Sequence, residues 1–206
     1  MTNTQPSFRF TILVALFCVI LVISNIASTK MTQFAGLTLD AGTILFPLSY
    51  IFGDIFAEVY GWKVSKKIIL LGFAAIVLNA AILAIVQYLP VASFWEFQSS
   101  YENILWLVPR ITLGSIFGYL AGSFSNAWSL LWIRRMTGER WLAARTIGST
   151  LIGQTADTVV FCAIAFFGTM GQIDLMNLAI SNILFKVAVE ALCTPLTYRV
   201  VRWMKK

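Results

Sequence analysis

Six apolar stretches, each about as long as a bilayer-crossing helix requires, alternate along the chain with short polar segments. They run from Phe10 to Thr29, Leu39 to Tyr60, Lys67 to Leu89, Leu105 to Ile133, Thr146 to Met170 and Leu175 to Val200. The short connections predict antiparallel neighbours, and so an all-α bundle of six transmembrane helices. No linker or low-complexity tract divides the chain, so residues 1–206 read as a single transmembrane domain. The first stretch exceeds a signal-peptide core and lacks a clean small-x-small cleavage site, which predicts a retained helix.

Polar residues inside these stretches carry the functional information. Asp54, Glu58, Arg110, Asp157, Lys186 and Glu190 all fall within them. A charge at the bilayer centre costs roughly 2.5–3.5 kcal/mol on insertion scales, so each must be paired, hydrated or used. Tyr50, Asp54 and Glu58 recur at four-residue steps and stack on one helical face. Pro47, just before them, is expected to kink that helix and free a carbonyl. Asn182, Lys186 and Glu190 repeat the four-residue step in the last stretch. Gln154 and Asp157 neighbour each other in the fifth. Lys186 has two candidate partners: Glu190 one turn away, or Asp157, whose other cationic candidate is Arg110. Arg110 follows Pro109 near a span end, where snorkelling to the interface competes with a buried role. Glu58 faces the same choice. Four acids and two bases leave two carboxyls without a cation after two pairs form. A cationic or hydrogen-donor-rich solute, or a coupling proton, accounts for them.

Gly114, Gly118 and Gly122 lie four apart in the fourth stretch, the pattern that lets two helices approach closely. Trp62, Trp95, Trp106, Trp141 and Trp203 fall near span ends, as interfacial anchors do.

Composition narrows the function classes. The chain is 59% hydrophobic and 12% charged, well below the roughly one-quarter charged residues of soluble domains. Its net charge of +6 does not indicate nucleic acid, because the basic residues sit in clusters between apolar stretches. Arg9, then Lys63, Lys66 and Lys67, then Arg134, Arg135, Arg140 and Arg145, then Arg199, Arg202, Lys205 and Lys206 all fall on one side. Lys30 is alone on the other. The positive-inside rule then places both termini in the cytoplasm. Histidine is absent, and Cys18, Cys162 and Cys193 stand singly in apolar sequence, so no metal site, disulfide framework or cofactor is expected. With no nucleophile-and-base arrangement, an enzyme is not expected. No Walker motif occurs, so ATP hydrolysis through a P-loop is not expected.

Phe46-Pro47, Tyr50, Asp54, Glu58 and Tyr60-Gly61 resemble the signature of the queuosine precursor transporters, also called vitamin uptake transporters. Ser24-Asn25, Pro109-Arg110, Gly153 with Asp157-Thr158, and Phe185-Lys186 extend the resemblance over essentially the whole chain. It implies import of 7-cyano-7-deazaguanine and/or 7-aminomethyl-7-deazaguanine across the bacterial inner membrane. A deazaguanine presents N1–H and a 2-amino group side by side, which one carboxylate accepts in bidentate fashion. On this reading Asp157 or Asp54 takes that edge, and Asn25 and Gln154 add hydrogen bonds. Lys186 and Arg110 tune the carboxylates or donate to the 6-carbonyl, while Tyr50, Phe161 and Phe185 supply walls. Glu58 and Glu190 complete the expected binding or pathway residues. Secondary transport fits a self-contained bundle, either coupled to protons through an Asp or Glu or as facilitated diffusion trapped by downstream metabolism. The alternatives are import of another vitamin or purine-like base, or the substrate-binding subunit of an energy-coupling-factor importer.

Overall fold

The computed structural model describes the chain over residues 8–137 and 142–204. The side chains of Tyr50 and Asp54, and of several residues within 134–146 and 194–204, lie outside the described set, as do Trp141, Trp203 and most of the last two basic clusters. Among the described residues six helices are long and apolar enough to cross a membrane, and the chain is a multi-pass membrane protein.

Helix α1 (Phe8–Ala27) ends in a polar run, and the chain then turns into a hairpin rather than a second helix. Strands β1 (Met31–Phe34) and β2 (Leu37–Asp40) pair antiparallel, with Met31 opposite Asp40 and Phe34 opposite Leu37. Ala35 and Gly36 form the two-residue turn, at φ 50° and 82°. Positive φ at both positions is what a tight hairpin of this twist demands. The expectation of helix from Leu39 therefore fails. Leu37-Thr38-Leu39-Asp40 alternates at the strand period, and an average over the surrounding apolar window hides it.

A 3₁₀ turn (Ala41–Leu45) follows, capped by the Asp40 side chain, which accepts from the Thr43 amide. Helix α2 (Phe46–Ile55) begins with Pro47 in its first turn. There the missing N–H has no intrahelical partner to lose, so Pro47 starts the helix and does not kink it. A π-helical turn (Phe56–Tyr60) completes the crossing, and Gly61 at φ 80° breaks to helix α3 (Trp62–Gln87). Lys63, Lys66 and Lys67 thus lie in the first turns of α3 rather than in a loop.

Short helix α4 (Gln98–Leu105) leads into α5 (Leu107–Thr137), then α6 (Leu142–Phe166) and α7 (Gln172–Met204). Helix α6 stops four residues before the expected Met170, because Gly168 at φ 79° turns the chain.

Helices α5 and α6 form the tightest pair. A Cβ on Gly114, Gly118 or Gly122 would come within 3.0, 2.8 and 2.8 Å of α6 atoms at Phe161 and Asp157. The glycine stripe is thus a packing face. One core cluster joins α5, α6 and α7 through Ile111, Cys162, Ala165, Phe166 and Leu178. Another joins α1, the π turn and α3 through Phe17, Phe56 and Ile68. Phe17 and Phe56 meet edge to face at 5.5 Å, and Phe10 and Tyr60 at 4.8 Å. The latter contact puts the start of α1 and the end of the π turn at the same end of the bundle.

Candidate functional site

A cavity of about 490 Å³ lies between the helices, within the roughly 300–1,000 Å³ typical of small-molecule pockets. Its two ends differ. At the hairpin end it is lined by Ser28, Asp40 and Thr43, all buried, with Asp40 only 2% exposed. At the other end it is lined by Trp62, which is 68% exposed, and by exposed Ala57, Ser123 and Asn126. The cavity is therefore closed at the hairpin and open at the end that carries the start of α1. Phe46, Phe73, Tyr119 and Phe161 give it aromatic walls.

Asp157 and Lys186 meet in the middle of this cavity. Gly118 and Gly122 let α5 press against the α6 backbone at Asp157, which fixes where that carboxylate projects. Lys186 Nζ on α7 donates to Asp157 Oδ2 at 2.7 Å and to Thr158 Oγ1 at 3.1 Å, and sits 4.7 Å from the Phe46 ring centroid. The ammonium is thus met by a carboxylate, a hydroxyl and an aromatic face. The lysine side chain is 8% exposed and the aspartate 24%, so Asp157 retains a face toward the cavity. Of the two partners open to Lys186 from the sequence, the cross-helix one is made. Glu190 lines the cavity one turn further along α7, and Gln154 Nε2 donates to its Oε2 at 3.3 Å.

Asn25 is buried at the end of α1 and also lines the cavity. Its Nδ2 donates to Leu21 O at 3.0 Å, while Oδ1 accepts from Ser115 at 3.3 Å and, more distantly, Thr112 at 3.5 Å.

The structure does not bring Arg110 or Glu58 to the cavity. Arg110 Nη2 donates to the carbonyls of Ile164 at 3.1 Å and Phe167 at 2.8 Å, and Nε donates to Ile164 O at 3.3 Å. These are carbonyls at the C-terminal end of α6, which lack partners within the helix, so Arg110 caps α6 and sits away from Asp157. Glu58 is exposed, and its expected stripe with Tyr50 and Asp54 assumed α-helical spacing throughout. A four-residue step does line the cavity and continues into the π turn, but it falls one position before Glu58. Ser49, Gly53 and Ala57 make that step. The side chains of Tyr50 and Asp54 lie outside the described residues. Phe161 lines the cavity as expected for a wall, whereas Phe185 does not.

One polar cluster escaped the sequence reading. Asp40 Oδ1 accepts from Ser28 Oγ at 2.6 Å and from the Thr43 amide at 3.2 Å. Asp40 Oδ2 accepts from Asn182 Nδ2 at 3.0 Å and lies 2.8 Å from Thr43 Oγ1, which is itself 3.0 Å from Asn182 Oδ1. Ser24 Oγ donates to Gly42 O at 3.0 Å, and Thr38 N donates to Ser181 Oγ at 3.3 Å. Together these tie α1, the hairpin and α7 over the closed end. Asp40 followed three residues later by Thr43 is a capping signal, and Asn182 already stood on the polar stripe of α7. Among the described residues, no three His, Cys, Asp or Glu side chains group as metal ligands.

A family model described as "Putative vitamin uptake transporter" matches residues 40–200. A Bacillus subtilis (strain 168) protein named "Probable queuosine precursor transporter" is 29% identical over 178 residues, covering 86% of this chain and 78% of the relative. An Escherichia coli (strain K12) protein named "Queuosine precursor transporter" is 25% identical over 152 residues, covering 72% of this chain and 66% of the relative. No solved structure matches the chain. The matched segment includes Asp40, Asp157 and Lys186 of the cavity, and the chain belongs to the vitamin uptake transporter family.

Proposed function

We propose that this protein imports a queuosine precursor, a 7-deazaguanine base such as its 7-cyano or 7-aminomethyl form, across the bacterial inner membrane. The single observation that carries the reading is Asp157, partly exposed to an aromatic-walled cavity and held in place by Lys186. The names of both curated relatives support the substrate class.

In this reading the N1–H and 2-amino group of the base meet the Asp157 carboxylate. A carboxylate has about four acceptor sites, so Asp157 keeps its bond from Lys186 while taking two donors from the base. Lys186 also stands within reach of the 6-carbonyl edge. Phe46, Tyr119 and Phe161 cover the faces of the flat heterocycle, and an aminomethyl cation finds Glu190 toward the open end. Asn25 and Gln154 add polar contacts on the cavity wall. The basic clusters support an open end on the cytoplasmic side, and in this reading the conformation faces inward. The chain carries no P-loop of its own, which supports secondary transport, and carboxylates at membrane depth give protons a group through which to drive it.

Uptake of a labelled deazaguanine into proteoliposomes containing this protein alone tests the proposal. Asp157→Asn should raise KM about tenfold or more, since a hydrogen bond to a charged group contributes about 1.5–3 kcal/mol. Guanine should compete and adenine should not, because adenine lacks the adjacent donor pair. Uptake that appears only when an ATPase partner is added would favour the energy-coupling-factor arrangement. An unchanged KM in Asp157→Asn, with adenine competing as well as guanine, would reject the proposed binding mode.

A further inference from the structure

A groove on the outside of the bundle runs between α1 and α3, separate from the central cavity. Its volume is about 520 Å³, and its walls are almost entirely apolar. The two helices touch through Gly72, where a Cβ would come within 2.6 Å of Leu21 Cδ1 and 3.1 Å of Phe17 Cε1. Beside this seam stand three alanines, Ala15 on α1 and Ala74 and Ala75 on α3, too short to fill the space between the helices. Ala15 and Ala74 are exposed, so the groove opens outward, and outward from a membrane-spanning helix is lipid.

Along α1 the groove extends from Phe10 to Cys18, about 12 Å at about 1.5 Å per residue. That is most of one leaflet, whose depth is half of the roughly 30 Å hydrocarbon layer. Phe10 meets Tyr60, so the groove begins at the end of the bundle where α3 starts. On α3 the lining residues Leu71, Ala75 and Leu78 share one face. Lys67, one turn before Leu71, continues that face toward the same end, and Lys63 lies one turn further on. Both lysines are exposed, and among the described residues neither forms an ion pair. An apolar trough most of a leaflet deep thus ends at two unpaired cations.

We infer that this groove is a binding site for an anionic phospholipid. One acyl chain lies in the trough, and the phosphate meets Lys63 and Lys67. Water does not fill the trough, because its walls offer almost no hydrogen bonds. Left empty, it would forfeit dispersion contacts along its whole length. An acyl chain is the apolar group that the surrounding leaflet supplies. A second copy of this chain fits less well. Two copies related by an axis along the membrane normal would set the same lysines against each other in one leaflet, whereas a lipid phosphate neutralises them. The inference rests on the membrane embedding and not on the transport reading.

Native mass spectrometry of the protein, released from nanodiscs of equal phosphatidylglycerol and phosphatidylcholine, counts the lipids it keeps. The unmodified protein should keep phosphatidylglycerol in preference. Lys63→Gln and Lys67→Gln should each lower that preference about fivefold, the share of one lysine at an anionic surface. Lys66→Gln should leave it unchanged, because Lys66 stands on the face of Phe73, which meets Tyr119 of α5 at 5.2 Å. Ala75→Phe fills the trough and should abolish retention of both lipids. Should it not fold, Ala74→Leu, at an exposed position, makes the same test. Equal retention of the two lipids by the unmodified protein, or equal effects of Lys66→Gln and Lys67→Gln, would show only a general lipid annulus and overturn the inference. So would retention that survives filling of the trough. Oxidative cross-linking of two copies through Cys18 in proteoliposomes would put a second protein in the groove and overturn it as well.

Discussion

Replacing Lys186 with methionine is the perturbation that reads the cavity most directly. Methionine keeps most of the volume and removes the charge, leaving the Asp157 carboxylate without its 2.7 Å partner and Thr158 Oγ1 without its 3.1 Å one. Breaking a buried ion pair from one side costs about 3–5 kcal/mol. Asp157 retains 24% exposure toward a cavity wide enough for water, which places Lys186→Met near the lower end, about 3 kcal/mol. Asp157→Asn leaves the more deeply buried lysine stranded and should cost as much or more. For a chain of this size about 1 kcal/mol corresponds to roughly 2–4 °C, so each single variant should melt about 6–12 °C lower. The double variant, in which two neutral groups of similar shape face each other, should recover at least about 2 kcal/mol of the summed loss. Thermal unfolding in detergent, followed by tryptophan fluorescence, measures all four proteins. Uptake separates fold from function, because the double variant should fold and still fail to import the base. Additivity of the single losses within about 0.5 kcal/mol would show that the pair does not hold the cavity together.

Three further outcomes follow from the packing. Gly42→Ala would set a Cβ 2.0 Å from Ser28 Oγ and 2.3 Å from Ser24 O; overpacking costs about 1–3 kcal/mol and more where backbone must move, so this variant should show the lowest melting temperature of the small-to-alanine set. Gly122→Ala would meet Asp157 Cβ at 2.8 Å and Gly153 O at 2.9 Å, and should lower both melting temperature and uptake by displacing Asp157. Arg110→Leu strips the cap from the carbonyls of Ile164 and Phe167 and should cost stability by about 1.5–3 kcal/mol while leaving KM for the base unchanged; a raised KM at normal stability would return Arg110 to the binding site.

The six crossings were legible because lipid imposes long apolar runs, and the tight α5–α6 pair was legible because Gly114, Gly118 and Gly122 encode a close backbone approach. The pairing of Lys186 was not, since Glu190 one turn away competes in the sequence with Asp157 on another helix. Only the crossing of α6 and α7 decides it. The hairpin was lost in an apolar window whose mean conceals the two-residue alternation of Leu37 to Asp40. Glu58 falls outside the cavity because the lining step on this segment is Ser49, Gly53 and Ala57, and nothing in the local pattern tells that face from the neighbouring one. Arg110 was read as a ligand because a cation at membrane depth signals chemistry, yet the open carbonyls at the end of α6 satisfy it.

The second crossing has a consequence for which solvent reaches the sealed side first. Its helical part, residues 41–60 with the 3₁₀ turn included, spans about 32 Å at about 2.0 Å per residue in that turn and about 1.5 Å per residue beyond it, enough for the roughly 30 Å hydrocarbon layer. The extended hairpin precedes it at the sealed end. Main-chain amides of extended chain tolerate moisture but not oil. The strands keep their own ladder when they shift, while Thr38, Gly42 and Asp40 lose the partners that α1 and α7 supply. Wetting must therefore precede any intrusion of acyl chains when that side loosens, and the hairpin at the sealed end makes hydration the first event of opening.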